Sequence, residues 1–386
     1  MSSLPTVAHV PMALSVQGST LITVATQVGR AYTAQGGVSS VVLSDNRDAR
    51  IPELSQIFVD YTQNCPREWF TKSELGVDLA AGRLGLLRPH YGRVYDPAIA
   101  VLEAEPADVV LLYEGHYASA TLPRWRRVRE SSQVCLYVHN PLSRTYGRRE
   151  LRRLIDSADR VAFCAEHLMR DTERRLGRSD PRLEVVHNGV EHSFFAKVAR
   201  RPTEEFVVVF AGNFSEQKGI HVLLEAVALL EGHGGIPRMR VRIVGGSRYG
   251  DGAPNEYEYK LRSQASSLAT PVEFTGWTPH DELPAIFSNA SAVCLPSLWS
   301  EGFPLVALEA MASGTPVACS DSPGMMEAVG DVGFVHHMGN AEALAEHLSA
   351  LATDAETWRQ RSGAGIARAS RFTWEAAAMR LAGVPQ

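Results

Sequence analysis

The segment Pro296–Pro316 reads PSLWSEGFPLVALEAMASGTP. The apolar run AVCLP ahead of it has the look of a buried strand, and it passes through the loop SLWSEGF into a helix opened by Pro304. Proline suits a first helical position, where its missing N–H is one of the unpaired donors anyway. The backbone N–H groups of Gly302, Phe303 and Leu305 would then lie near a helix N-terminus, where the dipole favours an anion. A diphosphate is the natural guest, and Gly302 lets the backbone approach it closely. Glu301 stands just before this helix, and Glu309 lies inside its apolar face, LVALEAMA. A carboxylate there needs a partner or water. Either Glu309 accepts ribose hydroxyls or it pairs with an arginine. Glu301 either meets a transferred group or is a surface loop acid.

Outward from this segment, short β-branched runs alternate with amphipathic stretches of roughly 10–15 residues, the pattern of βαβ units and parallel sheets. In the first half the expected strands are Thr6–Val10, Val38–Leu43, Val109–Tyr113, Val134–Val138, Arg160–Phe163 and Leu183–Val186. The expected helices are Thr20–Ala34, Asp96–Ala104, Arg148–Ser157 and Glu166–Leu176. Pro66–Tyr91 fits this alternation poorly and reads as an inserted element. The pattern restarts with strands at Val207–Phe210, Val241–Val244, Val272–Phe274, Val293–Leu295 and Val317–Cys319, interleaved with helices at Val222–Glu231, Tyr257–Leu268, Asp281–Ser288 and Leu305–Ala312. From Ala341 the chain is helical by period. The expected fold class is α/β, with two Rossmann-like domains, residues 1–195 and 196–371, the C-terminal helix 372–386 joining the first. Open parallel sheets bind ligands at the carboxyl ends of their strands. If those ends face each other across a central cleft, the ligand lies there.

The 386 residues suit two domains, and 45% hydrophobic with 21% charged is ordinary globular composition. No leader pattern opens the chain, and no window holds the roughly 20 apolar residues of a spanning helix. The five cysteines are scattered and never spaced C-x-x-C, as reduced residues of a cytoplasmic protein would be. Net charge is −5, yet Arg124–Arg182 holds 15 Arg, no Lys and 8 acids. That belt reads either as a solvated helix surface or as a site for an anionic acceptor or membrane surface.

The quoted segment resembles the donor-binding signature of family-4 glycosyltransferases, enzymes of the GT-B fold, in EGFPLVALEAMASGTPV. VHNGVEHSFF (186–195), VVVFAGNFSEQKGIHVLLEA (207–226), VRIVGG (241–246), VEFTGW (272–277) and FTWE (372–375) follow the family pattern in order. The resemblance covers residues 186–386 and is weaker before them. It implies a retaining transfer of a hexosyl or N-acetylhexosaminyl group from a nucleoside-diphosphate sugar, UDP-sugar by default. The acceptor would be a hydroxyl on a small natural product, a glycan or a lipid-linked sugar.

By motif position, Lys218 resembles the diphosphate-binding lysine, a mobile cation beside Gly219 at a helix start. Glu301 would meet the sugar, and His139, ending CLYVH, matches a histidine that touches it. Gly18 in VQGST resembles the glycine-rich loop, or is a strand-to-helix turn capped by Ser19. Asn213 departs from the family, which places an arginine there. Arg248 is a substitute cation or a solvent-facing loop residue. Gly245 could approach the nucleoside, and Trp277 either stacks on the base or packs an edge. Glu114 and His116, in YEGHY, stand at another strand end and face the acceptor side.

The resemblance implies same-face displacement, the leaving diphosphate being steadied by Lys218 and helix amides. No Asp-x-Asp follows a strand and no His/Cys/Asp cluster has ligand spacing, so neither a metal nor another cofactor is expected. A glycosidase reading of Glu301 and Glu309 leaves Lys218 unexplained. No nucleic-acid reader motif accompanies the arginines. Asn213 keeps one rival open: a GT-B protein that binds a nucleotide-sugar without ordinary transfer.

Overall fold

The computed structural model describes residues 3–11, 20–44, 51, 53–61, 70–114, 118–195, 204–246 and 254–385. It contains two compact units, Met1–Asn188 with Trp374–Gln386, and Gly189–Thr373.

The first unit is built on seven parallel strands: β1 (Thr6–Val10), β2 (Val38–Ser44), β3 (Ser55–Val59), β4 (Val109–Glu114), β5 (Gln133–Val138), β6 (Arg160–Phe163) and β7 (Leu183–Val185). Their order is β3-β2-β1-β4-β5-β6-β7. Every residue of β4 is buried, as expected of a strand covered on both faces. Helices occupy Thr20–Ala34, Asp96–Ala104, Arg148–Asp156 and Glu166–Leu176. The helix Trp374–Leu381 docks here. Gln35 Nε2 donates to Glu375 O at 3.2 Å and Arg160 Nη1 to Leu381 O at 3.0 Å.

Two elements of this unit escape the sequence pattern. The edge strand β3, SQIFV, has only its last residue buried, so no apolar run marks it. Within the stretch 66–91, the helix Lys72–Arg83 opens on a capping box. The Glu74 amide donates to Thr71 Oγ1, and the Thr71 amide to Glu74 Oε2. That helix leaves Val77 and Leu79 exposed, which blurs its periodicity.

The second unit has six parallel strands: β8 (Phe206–Ala211), β9 (Met239–Val244), β10 (Val272–Gly276), β11 (Ala292–Leu295), β12 (Val317–Ser320) and β13 (Phe334–His336). Their order is β10-β9-β8-β11-β12-β13. Its core gathers Val208, Phe210, Leu223, Val227, Ile243, Leu344, Leu348 and Trp358. The three-residue β13 and the helix Pro323–Val329 lie beyond the sequence reading. After Ala341 the helical stretch breaks at Asp354, whose side chain caps the next helix by accepting from the Glu356 and Thr357 amides. Residues 189–195 join this unit rather than the first. Phe194 packs against His280 and Phe287, and the Val190 amide donates to Phe372 O at 3.1 Å.

The arginine-rich stretch is not a uniform belt. Arg124, Arg129, Arg160, Arg170, Arg174, Arg178 and Arg182 each face a carboxylate. Arg149 and Arg152, on the helix Arg148–Asp156, are exposed and meet no carboxylate among the described residues. Cys135, Cys164, Cys294 and Cys319 are buried and joined in no disulfide; Cys65 lies outside the described residues. No described helix is long and apolar enough to cross a membrane.

His336, ending β13, is buried with both ring nitrogens unpartnered, 5.9 Å from the His347 ring. Burial first, and His347 next, push its pKa down to about 4. An unfolded histidine titrates near 6.5. The unfolded chain therefore takes up a proton that the folded unit refuses. Stability from this group is full above about pH 6.5 and is lost as pH falls toward 4. In denaturant titrations at a series of pH values, His336→Leu should lose less stability than the wild type over that window, by about 2 kcal/mol. Equal losses would remove His336 as the cause.

Candidate functional site

Strand order in the second sheet reverses between β8 and β11, where an open α/β sheet forms its crevice. Both strands deliver candidate residues there. Beyond β8, the Gly212 amide donates to Val244 O at 3.0 Å and the Phe214 amide to Gly246 O at 2.9 Å. These bonds set exposed Asn213 beside Gly245, whose own amide donates to Gly276 O at 2.9 Å. A 3-10 turn, Glu216–Lys218, then reaches Gly219, which has φ +68° and caps the helix Ile220–Gly232. A β-carbon on Gly219 would stand 1.9 Å from Pro296 O, so only glycine lets the two loops meet.

The loop beyond β11 locks onto that turn. The Leu298 amide donates to Gln217 O at 2.8 Å. Lys218 Nζ lies 2.8 Å from Glu301 Oε1, and Ser297 Oγ lies 2.7 Å from the same oxygen. On the far side the Glu301 amide donates to Ser322 Oγ at 2.8 Å. The α-carbon of Gly324 abuts the Glu301 and Gly302 carbonyls. The loop carrying Glu301 and Gly302 is therefore held from two directions. Lys218 keeps a third of its side-chain surface open to a ligand.

The helix Leu305–Ala312 follows. Pro304 is its N-cap, with ψ 116°, rather than its first helical residue. That moves Pro304 one place from the expected position, because the extended cap lets the chain turn in from the loop. No side chain caps this end, so the first amides stay available for an anion. Phe303 is buried edge-on against Phe372 at 5.2 Å, which anchors the turn. Deeper in the helix, buried Glu309 accepts from His280 Nε2 at 2.8 Å, and His280 Nδ1 faces Glu191 Oε1 at 3.2 Å. Glu309 does have an ionic partner, a histidine rather than an arginine. Burial alone would lower the His280 pKa, but Glu191 and Glu309 outweigh it and hold it at about 10.

Trp277 is exposed at the end of β10. Gly18, His116 and Arg248 lie outside the described residues. In the first unit Glu114 is buried at the end of β4 and accepts from the Ser119 amide and hydroxyl at 2.7 and 2.6 Å, so its carboxylate closes on its own chain. Burial, only partly offset by those bonds, lifts its pKa to about 7. His139 follows β5, edge-on to Tyr137 at 4.3 Å, with its ring nitrogens shielded from solvent and the Tyr137 backbone and Asn188 side chain beside it. Burial keeps it neutral, near pKa 4.

Ser297, Ser322, Gly324, His280 and Glu191 are missed by sequence reasoning. All but Ser297, which reaches Glu301 four residues on, act across long sequence separations. The only local signal is the polar His280 opening HDEL just after TGWTP.

Residues 23–194 match the family model described as Glycosyltransferase Family 4, and residues 192–367 match Glycosyl transferases group 1. D-inositol 3-phosphate glycosyltransferase of Corynebacterium aurimucosum is 32% identical over 243 residues, 60% of this chain and 57% of that protein. The chain thus aligns with less than two thirds of that relative's length. The protein of the same name from Corynebacterium urealyticum is 28% identical over 351 residues, 82% of this chain and 78% of its own length. Anabaena HepE, solved with UDP-glucose, superposes with TM-score 0.73 at 17% identity, with 98% of each chain covered. Sucrose-phosphate synthase of Thermosynechococcus elongatus superposes with TM-score 0.72 at 21% identity, with 97% of each covered. At such identities the likeness speaks for the fold. With two glycosyltransferase family models matched in succession along the chain, and two parallel-sheet units that superpose on those structures, this chain belongs to the family-4 glycosyltransferases and has the GT-B fold.

Proposed function

We propose that the chain is a retaining glycosyltransferase that moves a hexosyl or N-acetylhexosaminyl group from a UDP-sugar to an acceptor hydroxyl. The observation that carries this reading is Lys218 paired with Glu301 at the switch point of the second sheet, beside the uncapped start of Leu305–Ala312. Lys218 and the helix amides bind the diphosphate and take up the charge that grows on it as the glycosidic bond breaks. The leaving phosphate oxygen accepts the acceptor's proton on the same face. His139, neutral, hydrogen-bonds the sugar, and Glu301 orients it while balancing Lys218. Glu309 receives the ribose, and Gly245 and Trp277 border the base. Asn213 offers hydrogen bonds without the charge of an arginine.

Lys218 fills the role a divalent ion plays elsewhere, so transfer proceeds without a metal. Incubation with UDP-sugars and hydroxyl acceptors should release UDP at the same rate with or without excess chelator. Loss of the rate with chelator would assign the charge stabilisation to a metal. Binding without turnover across many acceptors would favour a nucleotide-sugar-binding protein instead.

The acceptor carries a phosphate. The related enzymes are named for inositol 3-phosphate, and unpaired arginines crowd one helix of the first unit. These arginines also make a weak contact with an anionic membrane surface from the cytoplasmic side. They adjoin exposed Leu84, Leu86 and Leu87, and Arg153 Nη1 donates to Gly85 O at 3.0 Å. Each basic group near such a surface contributes about 1 kcal/mol. The chain should co-sediment with phosphatidylglycerol vesicles at low salt, and Arg149→Gln with Arg152→Gln should reduce this by about tenfold or more. Unchanged sedimentation would remove the contact.

A further inference from the structure

Glu309 is nearly inaccessible to solvent, its side chain 6% exposed, on a helix whose other residues are apolar. A charge in that setting is tolerated only with a close partner. The partner is His280, which comes from the 3-10 turn His280–Glu282 beyond β10. Carboxylates only accept hydrogen bonds, and an imidazole that gives one to each of two carboxylates donates from both nitrogens. The ring is therefore an imidazolium set between Glu309 and Glu191. Phe194, centred 5.2 Å away, packs on the same ring. The charged groups around it are Glu309 from the helix Leu305–Ala312, Glu191 from the segment leading into His192–Phe194, and Asp281 and Glu282 on its own turn. The adjoining helix Leu283–Ser288 brings no titratable side chain.

We propose that His280 is a positioning residue for nucleotide recognition: it fixes the rotamer of Glu309 and is itself fixed by Glu191, so a Glu–His–Glu bridge, not Glu309 alone, forms the ribose end of the site. This rests on the reading of the second unit as a nucleoside-diphosphate site. With Oε1 committed to His280, Glu309 turns its other oxygen to the ribose hydroxyls. Glu191 sits on the segment that opens the second unit, so the bridge ties that segment to the ribose pocket.

The test is calorimetric binding of UDP and of 2′-deoxy-UDP to wild-type chain, His280→Gln, Glu191→Gln and Glu309→Ala, with the melting temperature of each unliganded protein. His280→Gln should weaken UDP by about tenfold and shrink the preference for UDP over 2′-deoxy-UDP, as Glu309→Ala does. Glu191→Gln, at a more open position, keeps the fold and should lose about threefold. In turnover assays the loss should fall on KM with kcat nearly unchanged, since ribose contacts are equal in ground and transition states. A His280→Gln protein that keeps the wild-type preference while Glu309→Ala loses it would overturn the inference and leave the nucleotide site standing. Failure of the wild-type chain to bind any nucleoside diphosphate would overturn both.

Discussion

Replacing Lys218 by alanine should lower kcat for sugar transfer by about 10²–10³-fold, with a much smaller loss of UDP affinity. The asymmetry follows from where the charge appears. In the bound donor the diphosphate already carries its negative charge, and helix amides share it. As the glycosidic bond breaks, a further charge gathers on the leaving oxygen, and only a group fixed nearby stabilises it without reorganising. Lys218 is fixed: its turn is bonded to the loop beyond β11, and its ammonium rests on Glu301. A purely structural role for the pair makes a different forecast. If Lys218 merely neutralised Glu301, then Glu301→Gln would restore the Lys218→Ala protein. Steady-state kinetics of the single and double variants decide this, and recovery of the rate in the double variant would sink the catalytic assignment.

Gly324→Ala should reduce nucleotide affinity by about tenfold or more and lower stability by about 1–3 kcal/mol. No functional atom is removed. The new methyl would stand 1.9 Å from Gly302 O and 2.4 Å from Glu301 O, both backbone atoms that cannot swing aside like a side-chain tip. The loop must shift, and with it go Glu301 and the uncapped start of the helix Leu305–Ala312. The matched control is Gly363→Ala, inside the helix Ala355–Ala369, where nothing lies within 4 Å of the added carbon. That substitution should leave affinity unchanged and stabilise the helix slightly. Equal behaviour of the two variants in thermal melts and UDP titrations would mean that the loop has slack.

What could be read from sequence follows the range of the interactions. Leu305–Ala312, Thr20–Ala34, Asp96–Ala104 and Glu166–Leu176 have the bounds that local periodicity gives them, because their apolar faces repeat within one element. The edge strands β3 and β13 stayed hidden since half-exposed strands lack an apolar run. Lys218 and Glu301 were both recognisable from their motifs, 83 residues apart. Their contact was not, because it depends on Gly219 fitting against Pro296 and on Ser297 filling the angle between them. The bridge through His280 was invisible for the same reason: the apolar helix marks Glu309 as needing a partner, but His280 and Glu191 look like ordinary surface residues until the fold brings their segments to that helix.

The most direct measurement is a calorimetric titration of UDP and other nucleoside diphosphates into the wild-type chain, repeated with Glu309→Ala. Saturable binding of one of them, markedly weakened by the substitution, is the expected result. A flat titration with every nucleoside diphosphate, or binding that ignores Glu309, would contradict a donor pocket at the second unit's switch point.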